Sequence, residues 1–271
     1  IKCYKKVRKD CLKFIKSQET TKHKFKNKEK MIKSFLIPIS FWIVNKANKS
    51  NPYFVGLAGG QGTGKTTISS IITIILRKYF KKNVFKISID DFYKTRKERL
   101  FLSKKIHPFL MTRGVPGTHD INILLYFFKQ LKKNKFKSIK LPKFNKAIDD
   151  RYNKKFWYLI KKRPDIIILE GWCVGARAEK INTLKKPINY SEKMNDIKLD
   201  WRRFVNQQLQ SKYKKLYNQL NCLLYLKVKK FNLLIKWRVK QEKKLWLKNQ
   251  KLSNNKIMNE KQVIKFMQTY Q

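Results

Sequence analysis

Gly59-Gly-Gln-Gly-Thr-Gly-Lys-Thr66 follows the apolar run Tyr53–Ala58 and precedes a second apolar stretch, Thr66–Phe80. The first run predicts a strand. The second is long enough for a helix despite its β-branched isoleucines. In a strand–loop–helix of this kind, backbone N–H groups and a helix N-terminus surround phosphate oxygens, the lysine reaches the terminal phosphates and the hydroxyl binds Mg²⁺. The candidate nucleotide-binding residues are therefore Gly59, Gly60, Gln61, Gly62, Thr63, Gly64, Lys65, Thr66 and Thr67. ATP and Mg²⁺ are the expected ligands. A glycine turn without ligand is the competing reading; in a chain with only nine glycines, a chance match has odds on the order of one in a hundred.

Working outward, the other glycines fall in two pairs, Gly114 with Gly117 and Gly171 with Gly175. In a sequence this poor in glycine they mark bends or close approaches to a ligand, and the three clusters are read as walls of one site. Further strands are expected over Val84–Ile89, Asp165–Leu169 and Cys222–Val228, with a helix over Ile121–Lys132 that Asp120 is placed to cap. Strands alternating with helices predict an α/β P-loop NTPase fold, a mostly parallel sheet flanked by helices in an α/β/α sandwich. Residues 1–34 read as a basic helical or frayed leader, and Phe35–Asn48 as a short helix interrupted early by Pro38. Residues 35–271 read as one P-loop domain ending in a lid-like region with a long basic helix.

Acidic residues stand at the strand ends. Asp90 ends the second strand, where a carboxylate beside the phosphate loop takes the proton of an acceptor hydroxyl, and Lys65 neutralises the transferring group. Capping of the next helix is the alternative for Asp90, and more so for Asp91. Glu170 closes Ile-Ile-Ile-Leu, the setting of a second acid that orients Mg²⁺, with Thr66 as the other metal-side residue; pairing with a lysine is the alternative. The turn Arg113–Asp120 supplies a cation suited to a small carboxylate or phosphate. His119 has ligand contact and packing open to it. Asp149, Asp150 and Arg151 lie in a polar loop. For Arg238, a cation swung over the phosphates by a lid and a solvated helix face both stand.

The formal charge of +49 taken alone points to nucleic acid. The lysines are spread through every segment, with an excess of Asn, Ile, Phe and Tyr, which is what a biased base composition produces, so no specific nucleic-acid partner is expected. A basic nucleic-acid-binding ATPase remains the reading from another class. Four cysteines without C-x-x-C spacing suggest neither zinc nor disulfides. The longest apolar run near the N-terminus, Phe35–Val44, is about half of a membrane span, and no signal-like stretch precedes it, so the expectation is a cytoplasmic protein without a membrane partner.

The ordered set GGQGTGKT, SIDDFYKT, TRGVPGTHD, LPKFNKAIDDR, ILEGWCVGAR, WRRFVNQQL and WRVKQE resembles the D-glycerate 3-kinases of plants, cyanobacteria and other bacteria, from about Phe35 almost to the C-terminus. That family lies in the phosphoribulokinase and uridine kinase branch of P-loop kinases. The resemblance implies transfer from MgATP to the 3-hydroxyl of D-glycerate, with Asp90 as general base. Lys65 and Thr66 would hold phosphates and metal, and Arg113, His119, Asp120 and Arg151 would face the acceptor; Asp91 and Tyr93 are further candidates for the acceptor side and Arg238 for the nucleotide. A fungal kinase group of the same branch shares DDFY, RG-x-PGTHD and LEGW, while WCVGAR and Arg202-Arg203 look more like the bacterial glycerate kinases. Other acceptors of the branch, a nucleoside, pantothenate or another polyol, are the alternative. The stretch Lys227–Phe231 departs from the family, which commonly has a proline and small residues there.

Overall fold

The computed structural model describes residues 1–19, 24–47, 51–133, 135–248 and 258–271. Four parallel strands form its centre, in the order β2-β7-β1-β8: β1 (Tyr53–Gly59), β2 (Val84–Ser88), β7 (Ile166–Gly171) and β8 (Cys222–Leu226). Between β2 and β7 in the chain lie β3 (Ile139–Leu141), β4 (Phe144–Asn145), β5 (Asp150–Arg151) and β6 (Tyr158–Ile160), which make two small antiparallel ladders, β3 with β6 and β4 with β5.

Both faces of the sheet are covered, so β1 and β7 are buried along their whole length and read as continuous apolar runs up to Glu170 rather than alternating. Side chains still divide with period two. Phe54, Ala58, Ile167 and Leu169 enter one core with Leu124, Phe127, Phe128 and Tyr213. Val55, Leu57, Ile166 and Ile168 enter the other with Ile71, Ile72 and Ile75 of the helix Lys65–Lys78. The predicted α/β/α sandwich is the observed architecture.

The helix Lys2–Gln18 lays Val7, Cys11 and Ile15, all fully buried, into that second core. Pro38 does not interrupt its helix: Ile37–Lys46 continues from a wide π-type turn over Ile32–Leu36. Such a turn accommodates the ring and the missing N–H. The expected last residue of this helix, Asn48, lies outside the described residues. All four cysteines are free thiols. No helix among the described residues is long and apolar enough to cross a membrane.

Candidate active site

The pairings Ser88↔Glu170, Ala58↔Gly171 and Gly59↔Leu226 align the carboxyl ends of all four strands on one edge. The sites of open α/β sheets form there. The loop leaves β1 and turns into the helix at Gly64, with Gly62 at φ 81° and Gly64 at φ 86°, values that L side chains resist. Lys65 Nζ donates to the Gly60 carbonyl at 2.8 Å, and Thr63 Oγ1 donates to the same oxygen at 2.8 Å. The helix Phe231–Lys248 lies across this loop. A Cβ on Gly60 would come within 2.5 Å of Leu234, and one on Gly62 within 2.6 Å of Trp237.

Glu170 is buried at the end of β7 and accepts hydrogen bonds from Thr66 Oγ1 at 3.0 Å and Ser69 Oγ at 2.5 Å. Its partners are hydroxyls of the phosphate-loop helix rather than a lysine. Ser69 carries no motif letter, and it is found only once the helix face is known. Hydroxyl and carboxylate oxygens side by side are the donor type Mg²⁺ takes, with water and phosphate completing the shell. Among the described residues no cluster of three or more His, Cys, Asp or Glu forms a protein-only metal cage.

Asp90 sits in the 3₁₀ turn Ile89–Phe92 directly after β2. Ser88 Oγ, not an aspartate, caps that turn by accepting from the Asp90 N–H. The Asp90 carboxylate accepts from Tyr93 Oη at 2.9 Å and from Lys146 Nζ at 2.8 Å. Burial alone would raise its pKa, but Lys146, His119 and Tyr93 outweigh this and hold it below the ordinary carboxylate value. Asp91 points elsewhere, accepts from the Phe144 N–H at 3.3 Å, and is pushed up to about 6 by burial. Lys65, partly buried near Asp90 and Glu170, is lowered by desolvation in spite of both carboxylates.

The β4–β5 ladder, whose second strand reads from sequence only as part of a polar loop, carries Arg151, one of the residues expected to face the acceptor. Arg151 donates to the Tyr93 carbonyl at 2.7 Å and to Asp120 at 3.2 Å. This takes the side chain expected to cap the helix Ile121–Leu131; Asp120 stands at the N-cap position but makes no side-chain cap bond. Arg113 pairs with Asp149 and stacks over Phe144, its guanidinium 5.6 Å from the ring centre. The second Asp149 oxygen is held by the fully buried Arg99 at 2.9 Å. His119 lies on Tyr93, ring centres 4.5 Å apart, and burial lowers it to about 4, so it is neutral. Tyr213 Oη accepts from the Gly117 N–H at 2.9 Å and stands 2.7 Å from His119 Nδ1. The other ring nitrogen, Nε2, is buried without a partner among the described residues.

Arg238 is ion-paired with Glu242 and lies over Phe266 at 5.6 Å, so it is not free on a solvated face. Its Nε–H and Gln61 Oε1 are buried without partners among the described residues. The unpaired Arg238 Nε–H on the covering helix fits a polyphosphate ligand, whose oxygens would supply its missing acceptor, while Gln61 Oε1 calls for a donor instead. Arg202, by contrast, is a structural cation, held by Asp196 at 2.8 Å and Glu192 at 3.8 Å.

No family model matches the chain. It is 29% identical over 233 residues to an uncharacterized kinase, mug58, of Schizosaccharomyces pombe, covering 82% of this chain and 79% of that protein. It is 24% identical over 226 residues to the chloroplastic D-glycerate 3-kinase of Arabidopsis thaliana, covering 77% of this chain but 47% of that protein. Its fold matches the solved D-glycerate 3-kinase of Cryptococcus neoformans with a TM-score of 0.73 at 24% identity, over 88% of this chain and 86% of the other. The fold is that of P-loop kinases, the likeness fits the glycerate 3-kinase type, and the kinase homologues support phosphotransfer to an alcohol group.

Proposed function

We propose that the chain transfers the γ-phosphoryl group of ATP to the 3-hydroxyl of D-glycerate, giving 3-phospho-D-glycerate and ADP. The observation that carries this reading is Asp90: a carboxylate kept ionised at a strand end, between the phosphate loop and a wall built from Arg113, His119 and Arg151. Asp90 accepts the hydroxyl proton as the acceptor oxygen bonds to the γ-phosphorus and the bond to the β-bridging oxygen breaks. Lys65 exchanges the Gly60 carbonyl for phosphate oxygens, and the unpaired Nε–H of Arg238 is available to the nucleotide. Thr66, with Glu170 ordering waters, would hold Mg²⁺, which when bound would neutralise phosphate charge.

The acceptor end follows from the same chemistry. Arg113 already binds one carboxylate, that of Asp149, through a single terminal nitrogen, and its remaining donors suit the carboxylate of a small hydroxy acid. His119 is neutral, and its Nε2, without a partner among the described residues, is available to hydrogen-bond the acceptor. Asp91, Tyr93 and Asp120 act here by holding neighbours: the Phe144 backbone, Asp90 and Arg151.

The test is a coupled assay of ADP release with MgATP and D-glycerate, L-glycerate, uridine, pantothenate or ribulose 5-phosphate, with products identified by mass and NMR. Turnover with D-glycerate alone, yielding the 3-phosphate, is expected. A different preferred acceptor refutes the glycerate assignment and leaves the phosphotransfer chemistry standing. Hydrolysis stimulated by nucleic acid, with steep salt dependence, refutes both.

A further inference from the structure

The wall opposite Asp90 is closed by a residue outside every motif above. The helix Glu260–Gln268 is capped reciprocally by Asn259 and Gln262, and it buries Val263 and Met267. Its end is tied down: the Gln268 carbonyl accepts from Asn189 Nδ2 at 3.0 Å, and Gln268 Oε1 accepts from the Ser191 N–H and hydroxyl at 3.1 and 2.7 Å. Tyr270 follows. Its hydroxyl donates to the Arg113 carbonyl at 3.3 Å, and its ring meets Trp172 edge-on with centres 4.7 Å apart. Trp172 is fixed in turn by its Nε1–H bond to the Gly114 carbonyl at 2.7 Å. The Tyr270 hydroxyl occupies the space in which a Cβ at Gly114 would stand, so glycine there is the condition for its approach.

The electrostatics put the phenol in the same compartment as the chemistry. Burial raises it first, the Asp90 carboxylate raises it further, and Arg238 and Arg113 act in the opposite sense. Beside it, a cavity of about 240 Å³ opens between the C-terminal helix and the Arg113 turn, lined by Thr112, Arg113, Trp201, Lys265, Phe266 and Thr269. Tyr270 thus packs against the backbone of the Arg113 turn, next to Thr269, which lines this cavity.

We propose that Tyr270 is a specificity-determining residue that closes the acceptor pocket and confines it to short hydroxy acids. This rests on the phosphotransfer reading above. A ring held at its hydroxyl by a backbone carbonyl and at its edge by Trp172 does not swing aside without losing both contacts. A longer acceptor is therefore excluded by overlap, while a three-carbon acid fits beneath.

The experiment compares wild type with Tyr270→Ala, Tyr270→Leu and Tyr270→Phe, using D-glycerate and the longer hydroxy acid pantothenate. In Tyr270→Ala, the kcat/KM ratio of long to short acceptor is expected to rise at least roughly tenfold, the size of effect one or two methylene-scale contacts produce, with most of the loss on D-glycerate in KM. Tyr270→Phe keeps the ring and is expected to keep the wild-type ratio within about threefold. Equal loss on both acceptors in folded Tyr270→Ala overturns the proposal and leaves Tyr270 a packing residue. Tyr270→Leu serves the same comparison where the alanine variant does not fold. Shifts in melting temperature induced by the two acids report the same preference without turnover. Selectivity can then be judged even if wild type prefers another acceptor, an outcome that defeats the glycerate assignment and not the size filter.

Discussion

Replacing Asp90 by Asn isolates proton acceptance from binding. The amide keeps an oxygen for the Tyr93 hydroxyl, which lies 2.9 Å from the carboxylate, and fills the same volume. It loses the Lys146 ion pair, but the Lys146 side chain is 63% exposed, so this costs at most about 1 kcal/mol of stability. Phosphate-loop contacts do not run through Asp90, and the KM for ATP is expected to stay within about threefold. The lost general base should lower kcat by about 10²–10⁴, or about 3–5 kcal/mol in the barrier. Steady-state ADP release with the acceptor saturating measures this, with melting temperature and nucleotide binding as controls. A folded, ATP-binding Asp90→Asn protein whose kcat lies within threefold of wild type refutes Asp90 as the base.

Glu170→Ala leaves the fully buried Ser69 hydroxyl without its carboxylate partner. It should cost about 1–3 kcal/mol in denaturant unfolding and weaken the stabilisation that MgATP gives over ATP alone, and an unchanged magnesium dependence would remove Glu170 from the metal side. His119 and Asp91 should set opposing pH dependences of stability. The imidazole falls from 6.5 to about 4, so between those values the unfolded chain binds a proton the folded protein does not, and stability drops as pH falls through that window. The Asp91 carboxyl rises from 3.8 to about 6, so the folded protein holds the extra proton and stability grows as pH falls from 6 towards 3.8. The imidazole contributes about 3 kcal/mol across its window, and the partly exposed carboxyl less. Relative to wild type, Asp91→Asn should lose stability on going from pH 6.5 to 4.5 and His119→Gln should gain it, as read by guanidinium unfolding at both pH values; parallel curves would contradict the assigned burial.

The sheet was legible because parallel strands buried on both faces appear as unbroken apolar runs, and the phosphate loop because its glycines interrupt such a run. Predicted strand and helix limits fell within two residues of those observed. The ladders over Ile139–Ile160 were not legible, since strands of two or three residues show no period. Nor were the partners of His119 and Arg113. Tyr213 lies 94 residues from His119 and Tyr270 lies 157 from Arg113, and no local pattern encodes contacts of that separation. Asp120 illustrates a different failure: local propensity pointed to a cap, and a distant guanidinium competed successfully for the same oxygens.

The ion pairs around Arg99, Arg113, Arg151 and Arg202 have a consequence for how this protein tolerates change. Only 17 acidic side chains stand against 66 lysines and arginines, and Asp90, Asp120, Asp149, Asp196 and Glu242 each neutralise a specific cation. Removing an acid leaves an unbalanced positive group in a molecule already strongly self-repelling, whereas removing a typical surface lysine relieves the same repulsion. Tolerance to substitution is therefore expected to be one-sided: a surface lysine away from Lys65 and Lys146 is individually dispensable, while each of these carboxylates holds a specific cation in a chain where acids are few.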